Sequence, residues 1–267
     1  IIFILLLLIL TRFYNIDRTS RFIWDESGDL VNIHRIYIEK DLTLIGPISE
    51  DGNKVFGSLT YYLLMPFAVA FNFSPISTSY GAAFWGVIIG IVFILLSFKI
   101  KGKFETLPVI FIIVWTAILV PGRWAWNPNF MPLWSALSIL TLTSKSKYKY
   151  FLSGLLISLT IHHHYLGFYS SFALGLALLF GSVKNKDYAP ILHFVLGAFI
   201  AVSPFIIFDL THKPGLFLTR ILYFNYINSN SNLIQKLSFG NLLFLLNLSV
   251  IIFLDIRNKS KGLIYIF

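Results

Sequence analysis

The chain contains no cysteine, and acidic residues are scarce, with 12 Asp and Glu against 21 Lys and Arg among its 267 residues. The absence of cysteine excludes disulfides, thiol nucleophiles and thiolate metal ligands. Charged residues of both signs make up only 12% of the chain, whereas soluble globular domains carry about 25%. An ordinary water-soluble domain is therefore not expected.

Hydrophobic residues make up 57% of the chain, and its mean hydropathy is +0.77. Several apolar runs approach the roughly 20 residues that a helix needs to cross a bilayer. They cover residues 1–10, 81–98, 107–120, 151–161, 166–180, 189–208 and 242–254. The runs lack the alternation of β-barrel strands. The sequence therefore predicts an all-α polytopic membrane protein with a single transmembrane domain over residues 1–267, and we expect a fragment truncated at both ends.

Lysine and arginine are concentrated in the connections between apolar runs, at residues 99–103, 145–149, 184–186 and 257–261. By the positive-inside rule, such connections are cytoplasmic. The net charge of +9 is therefore interpreted as a sign of topology, and no nucleic-acid partner is expected. The opposite side then receives a first extracytoplasmic loop at residues 11–58, together with residues 121–132, 162–164 and 209–240.

The apolar run at residues 59–73 disturbs this alternation of sides. It is only about 15 residues long and contains Pro66. A re-entrant or interfacial helix is allowed there if protein covers its backbone. We favour that interpretation over a full crossing, which would invert the sidedness of each later loop.

Eight of the 12 acidic residues lie within residues 17–51. Among them, Asp25 and Asp29 stand four residues apart, and Ile33 follows at the same interval. This spacing predicts an amphipathic helix over residues 24–37 that lies along the membrane surface with its carboxylates toward a cleft. The alternative is a solvated loop helix whose start is capped by Asp25 or Ser27.

The loop at residues 121–132 carries Trp124 and Trp126 close to Arg123. An arginine beside the bilayer is costly to leave unpaired, and its guanidinium fork matches phosphate. The two indoles suit either an aromatic belt at the membrane interface or the apolar floor of a sugar or lipid site.

Three adjacent histidines occupy residues 162–164. On a helix they point about 100° apart, so at most two could share one ligand. A metal site is thus the weaker hypothesis, and we expect one histidine to face a polar cleft. Further on, Asp209 with His212 or Lys213 forms a polar hinge whose default interpretation is a charge pair at a helix end.

Taken in order, these residues carry a resemblance to a known family. A first spanning helix is followed by a loop with aromatic-Trp-Asp-Glu and by Gly-Ser-Leu-Thr-Tyr-Tyr-Leu-Leu at residues 57–64. This order resembles the C-type membrane glycosyltransferases of the protein O-mannosyltransferase and aminoarabinose transferase superfamily. Trp126-Asn127-Pro128-Asn129, His164-Tyr165 and residues 204–212 are similar to its bacterial and archaeal branches.

The resemblance implies the C-type glycosyltransferase fold, with amphipathic juxtamembrane helices in the large first extracytoplasmic loop. It also implies transfer of one sugar, with inversion, from a polyprenyl-phosphate donor to an acceptor on the extracytoplasmic face. By motif position, Asp25 would deprotonate or orient the acceptor, with Glu26 beside it.

Cationic side chains would stabilise the departing lipid phosphate. Arg123 is the first choice for that role, and Arg21, Arg35, Lys213 and Arg220 are further candidates. The expected substrate cleft comprises Trp24, Trp124, Trp126, Asn127, His164, Tyr165, Asp209 and His212.

The expected partners are the lipid-linked sugar donor, the bilayer, and a lipid, glycan or protein acceptor. No cofactor is required by this hypothesis, although a divalent metal is compatible with it. The expected location is a prokaryotic plasma membrane with an extracytoplasmic active site.

Two other functional classes stay open from the sequence. An O-antigen ligase or an oligosaccharyltransferase would transfer a preassembled glycan, and the histidine run suits the ligase. A lipid or solute transporter would usually show internal repeats and charges within its spans. The chain shows no evident repeat, and its charges lie mainly in loops.

Overall fold

The computed structural model describes residues 2–20, 22–48, 55–102, 123–212 and 215–217. Arg21, Lys213 and Arg220 lie outside the described residues, as do the apolar runs at 107–120 and 242–254 and the basic cluster at 257–261. What the sequence predicts for these positions therefore stays a prediction.

Most of the described chain is helical. The helices are α1 (Ile2–Phe13), α2 (Ile16–Thr19), α3 (Trp24–Glu39), α4 (Leu59–Ala70), α5 (Ser77–Lys101), α6 (Met131–Leu142), α7 (Lys149–His163), α8 (Gly167–Asn185) and α9 (Ala189–Thr211). A 3-10 turn at Asn127–Phe130 leads into α6. A short antiparallel pair, β1 (Ile45–Ile48) with β2 (Val55–Gly57), interrupts the helical pattern, and the all-α prediction did not include it.

Three of the helices are long and apolar enough to cross a membrane, at Ser77–Ile100, Gly167–Asn185 and Ala189–Thr211. They contain the predicted runs 81–98 and 189–208, and all of the run 166–180 except Leu166. The run at 151–161 lies in α7, which has 15 residues. At about 1.5 Å per residue, α7 spans about 22 Å, less than the roughly 30 Å of a hydrocarbon core. The helical, membrane-type architecture thus agrees with the sequence in outline.

Helix α7 is the centre of the bundle, since it packs against α6, α8 and α9. Small residues allow this close approach. A Cβ atom added at Gly154 would lie 2.0 Å from the Phe194 carbonyl oxygen, and one added at Gly197 would lie 2.0 Å from that of Phe151. Between α6 and α7, the Ser138 hydroxyl also hydrogen-bonds the Ser153 hydroxyl at 2.7 Å.

Short connections make α6, α7, α8 and α9 an up-and-down series. Residues 143–148 join α6 to α7, and residues 186–188 join α8 to α9. Both connections carry or adjoin lysines, and both lie at the same end of the bundle. The end of α7, the start of α8 and the end of α9 lie at the opposite end, which is the end that holds the polar groups described below.

Both ends of α4 contact this polar end. Near its start, the Thr60 hydroxyl hydrogen-bonds His163 Nδ1 at 2.9 Å. Just after its last residue, the Phe71 ring stacks on Tyr80 at 4.5 Å, and the Tyr80 hydroxyl donates to Asp17 at 2.9 Å. With 12 residues, α4 is about 18 Å long. These contacts agree with an interfacial or re-entrant helix, which stays a prediction.

Candidate functional site

Helix α3 begins at Trp24, and neither Asp25 nor Ser27 caps its start. The preceding residue, Ile23, has no side-chain acceptor, and Glu26 instead accepts the Ile23 backbone N–H at 2.9 Å. The second Glu26 oxygen accepts the Ala125 backbone N–H at 3.3 Å. Glu26 therefore both caps α3 and binds the loop that contains Ala125 to the start of this helix.

Three acidic residues on the first two turns of α3, called here the α3 carboxylates, are Asp25, Glu26 and Asp29. Asp25 is partly exposed, whereas Glu26 is 1% and Asp29 is 7% exposed. Leu30 and Ile33 are buried on the same helix, as the spacing predicts. The sequence pattern thus identified the helix and its apolar face, but the two adjacent acids have different surroundings.

Burial changes the proton affinity of two of these groups. Burial raises the pKa of Glu26, although the hydrogen bonds from Ile23 and Ala125 oppose the rise. Burial, supported by the nearby Asp25 charge, raises the pKa of Asp29 to about 7. The Tyr61 hydroxyl hydrogen-bonds Asp29 and partly offsets this effect.

Two arginines, called here the arginine pair, meet at Thr11 near the end of α1. Arg12 Nη1 donates to the Thr11 hydroxyl at 3.1 Å, and Arg123 Nη2 donates to the Thr11 carbonyl at 3.1 Å. Arg123 Nη1 also donates to the Thr19 hydroxyl. The two guanidinium charges repel each other. Sequence reasoning selected Arg123 as a site residue and missed Arg12, although Arg12 is a charged residue only two positions after an apolar run.

Arg12 is 1% exposed, yet much of its hydrogen-bonding capacity is unused. Its Nε and Nη2 have no hydrogen-bond partner among the residues that the structure describes. A buried charge without a partner is strongly unfavourable. The arginine pair therefore has the chemistry of an anion-binding site.

The loop at residues 123–130, called here the Trp loop, joins the arginine pair to the α3 carboxylates. Arg123 contacts Thr11, and Ala125, two residues later, binds Glu26. Two residues of chain span at most about 7 Å. The Trp loop therefore brings the arginine pair and the start of α3 to the same end of the bundle.

The two indoles of the Trp loop form a stacked pair, with ring centroids of Trp124 and Trp126 5.2 Å apart. Trp126 is 40% exposed, so the pair presents an apolar face next to the arginines. Asn129 stiffens the loop by donating to the Trp124 carbonyl at 2.9 Å. Trp24 is different, since the described residues leave 83% of its surface exposed rather than enclosing it in a cleft.

The far end of the Trp loop is fixed to α7. Asn127, predicted as a cleft residue, is 7% exposed, and its Nδ2 donates to the His163 carbonyl at 2.5 Å. The His163 ring is fully buried and lies between two helices: Trp134 Nε1 donates to its Nε2 at 2.8 Å, and Thr60 lies 2.9 Å from its Nδ1. Because an indole N–H can only donate, Nε2 is the acceptor and His163 is the neutral Nδ1–H tautomer.

The other two histidines have separate partners. His162 Nε2 hydrogen-bonds the Ala201 carbonyl at 2.8 Å. His164 stacks on Phe56 at 5.3 Å, and its Nδ1 accepts the Leu166 N–H at 3.1 Å. Within the described ranges, no three His, Asp or Glu side chains converge as a metal site would need.

The remaining predicted cleft residues surround the β1–β2 pair and the end of α9. The Tyr165 hydroxyl donates to the Val55 carbonyl at 2.6 Å. Asp209 accepts the backbone N–H groups of Leu216 and Phe217 at 2.8 and 3.0 Å, and the His212 ring stacks on Phe208 at 4.2 Å. These contacts organise the backbone after α9. Through these contacts Asp209 accepts hydrogen bonds from backbone amides. The sequence-based interpretation, a charge pair with His212 or Lys213, did not include this role.

The structure thus brings together the α3 carboxylates, the arginine pair and the stacked indoles, and it places Tyr165, Asp209 and His212 around a different element. Arg35 is exposed on α3, where its charge acts on Tyr61. Asp29 belongs to the site, although sequence reasoning used it only as part of a helical pattern. No protein-family model, no curated protein and no solved structure matches this chain.

Proposed function

We propose that the chain is a membrane glycosyltransferase that moves a single sugar from a polyprenyl-phosphate donor to an acceptor hydroxyl. The observation that carries the proposal is the arginine pair, which the Trp loop joins to the start of α3 and its carboxylates. Arg12 is buried, with two guanidinium nitrogens unpartnered among the described residues, and it repels Arg123 across Thr11.

An anion between the two guanidiniums would relieve both problems. Arginine forks suit phosphate oxygens because they offer parallel N–H donors at the right spacing. In this proposal the polar end of the helices lies at the membrane surface, so a lipid phosphate reaches the site from the adjoining bilayer. The stacked pair of Trp124 and Trp126 supplies an apolar floor for the sugar or for the first part of the lipid.

Asp25 is the proposed general base because it is the α3 carboxylate that a bound acceptor can reach. Its carboxylate takes the proton of the acceptor hydroxyl as that oxygen attacks the anomeric carbon. The bond from the anomeric carbon to the phosphate oxygen breaks, and the phosphate leaves with the electron pair. Arg123 and Arg12 stabilise the charge that develops there. A single displacement of this kind inverts the anomeric configuration.

Glu26 has a positioning role in this proposal. It is 1% exposed and already accepts two backbone N–H groups, so it does not contact the acceptor. What it holds is the Trp loop, and with it Arg123, against α3. Further proposed phosphate contacts are Arg21, Arg35, Lys213 and Arg220. The reaction takes place on the extracytoplasmic face, and the acceptor is a lipid, glycan or protein.

The test is transfer of a radiolabelled sugar from a polyprenyl-phosphate donor by the full-length protein in membrane vesicles. Wild-type protein is expected to transfer from this donor and not from the corresponding nucleotide sugar. Asp25→Asn is expected to lose transfer. Asp17→Asn is its matched control, because Asp17 is on the same side of the bundle but its carboxylate accepts a hydrogen bond from the Tyr80 hydroxyl. Transfer from the nucleotide sugar alone would overturn the donor assignment.

A further inference from the structure

Asp29 is a buried acid that the proposed chemistry does not use. It follows Asp25 by four residues, so the two side chains are neighbours on one face of α3 at about 5–6 Å between Cβ atoms. Asp29 is only 7% exposed, which prevents direct contact with an acceptor. Any role in the reaction must therefore be electrostatic.

The groups that face Asp29 come from two helices. From α3 these are Asp25 and Glu26, both negative when ionised. From α4, the Tyr61 hydroxyl hydrogen-bonds Asp29 and in turn accepts a hydrogen bond from Asn32 Nδ2 at 3.3 Å. The positive charge of Arg35 acts on Tyr61. Among the described residues, Tyr61 is thus the one interaction that stabilises an ionised Asp29.

We propose that Asp29 stays protonated up to near-neutral pH and thereby limits the negative charge of the α3 carboxylates when an anionic donor binds. Two carboxylates one helical turn apart resist double ionisation. Asp25 is partly exposed, whereas Asp29 is buried with no cation beside it among the described residues, so burial disfavours the charge on Asp29. The consequence for catalysis rests on the proposed function, since it concerns the binding of an anionic donor.

The direction of the pH dependence follows from the ionisation of Asp29. The pKa of Asp29 is raised to about 7, so the carboxyl ionises as the pH rises through that value. Ionisation adds a negative charge to the α3 carboxylates, at the end of the bundle that holds the arginine pair, and weakens binding of the anionic donor. The value of kcat/KM for the donor is therefore expected to fall above about pH 7, through an increase in KM.

Three variants separate this role from a merely structural one. Asp29→Asn cannot ionise, so it should abolish the alkaline fall, whereas Asp29→Glu should retain a fall. Tyr61→Phe removes the hydrogen bond that favours the ionised form, so the fall should move to higher pH. A fall in Asp29→Asn identical to that of wild-type protein would overturn the proposal.

A second readout does not depend on transfer activity. Infrared difference spectra of the purified full-length protein should show the carbonyl stretch of a protonated carboxyl at pH 6 that fades by about pH 8. The band should be absent in Asp29→Asn and present in Asp17→Asn. If the band behaves in this way and no sugar is transferred, the proposed function fails alone. If sugar is transferred and Asp29→Asn leaves the band unchanged, the proton assignment fails alone.

Discussion

At the residue scale, Arg12 is the group whose environment is hardest to explain without a ligand. Removing one partner from a buried charge pair costs about 3–5 kcal/mol because it leaves the other charge uncompensated. Arg12 is 1% exposed and shares its surroundings with a second guanidinium. A purely structural arginine would instead be expected to use its N–H groups on nearby carbonyls or carboxylates.

Arg12→Met keeps much of the apolar stem and removes the charge. We expect this variant to unfold at a higher temperature than wild-type protein in detergent without ligand. We also expect it to lose the further rise that a short-chain polyprenyl phosphate gives to the wild type, because binding to the folded state stabilises it. Lys184→Met, at an exposed position at the opposite end of the bundle, is the control. A variant that melts lower and still responds to the lipid phosphate would contradict an anion site.

Glu26 and Asp25 are adjacent in sequence, but we expect substitutions at the two positions to change the kinetics in different ways. Glu26→Ala leaves the N–H groups of Ile23 and Ala125 without their acceptor, at about 1–3 kcal/mol for each buried donor. Because the Trp loop then loosens, donor KM should rise about tenfold or more while kcat changes less. Glu26→Gln retains an acceptor oxygen and should be milder. Steady-state kinetics decide the matter, and a loss in kcat as large as that of Asp25→Asn would assign Glu26 to the chemistry.

Which acid was buried could not be predicted from α3 alone. The four-residue spacing identified the helix and its apolar side, because periodicity is a local property. The burial of Glu26 depends on Ala125, about one hundred positions later, and the environment of Asp29 depends on Tyr61 from another helix. Arg12 was missed for the same reason, since its neighbour is Arg123.

At the element scale, the Trp loop connects the parts of the site. One end of the loop binds α3 through Glu26, and the other binds α7 through Asn127 and the His163 carbonyl. The Trp-Asn-Pro pattern did single out this loop as organised. Its anchoring was not predictable, because the buried His163 takes its partners from α4 and α6.

Trp134→Phe tests this anchoring. The substitution removes the N–H that His163 accepts and leaves a buried ring nitrogen unsatisfied, at about 1–3 kcal/mol. The midpoint of thermal unfolding in detergent should therefore fall. Trp126→Phe, where the ring is 40% exposed, should change the midpoint much less. Equal midpoints for the two variants would mean that the His163 contacts contribute little to stability.

At the scale of the whole molecule, composition was sufficient to predict a helical membrane-type protein. The β1–β2 pair was not predictable, because its two strands of four and three residues carry no alternating pattern. Two lysine-bearing connections lie at one end of the helices and the α3 carboxylates at the other. This separation of charge is the arrangement that the loop composition predicts, and its relation to the two sides of a membrane stays a prediction.

Single-cysteine variants test that relation without background labelling, since the chain has no cysteine. We expect a membrane-impermeant thiol reagent to label Ser27→Cys and Ser74→Cys from one side and Ser146→Cys from the other. Ser74 follows α4, so it reports whether α4 crosses the membrane. Labelling of Ser74→Cys from the side opposite to Ser27→Cys, with Ser146→Cys labelled from the same side as Ser27→Cys, would show a full crossing, which inverts the later connections. Labelling of all three variants from one side would overturn the assigned sides.

The most direct measurement compares donor binding with turnover in Asp25→Asn. The arginine pair is intact in this variant, so it should bind the polyprenyl-phosphate sugar about as tightly as wild-type protein. Loss of the general base should lower the rate of sugar transfer by about 10²–10⁴-fold. Wild-type turnover in Asp25→Asn would contradict the account.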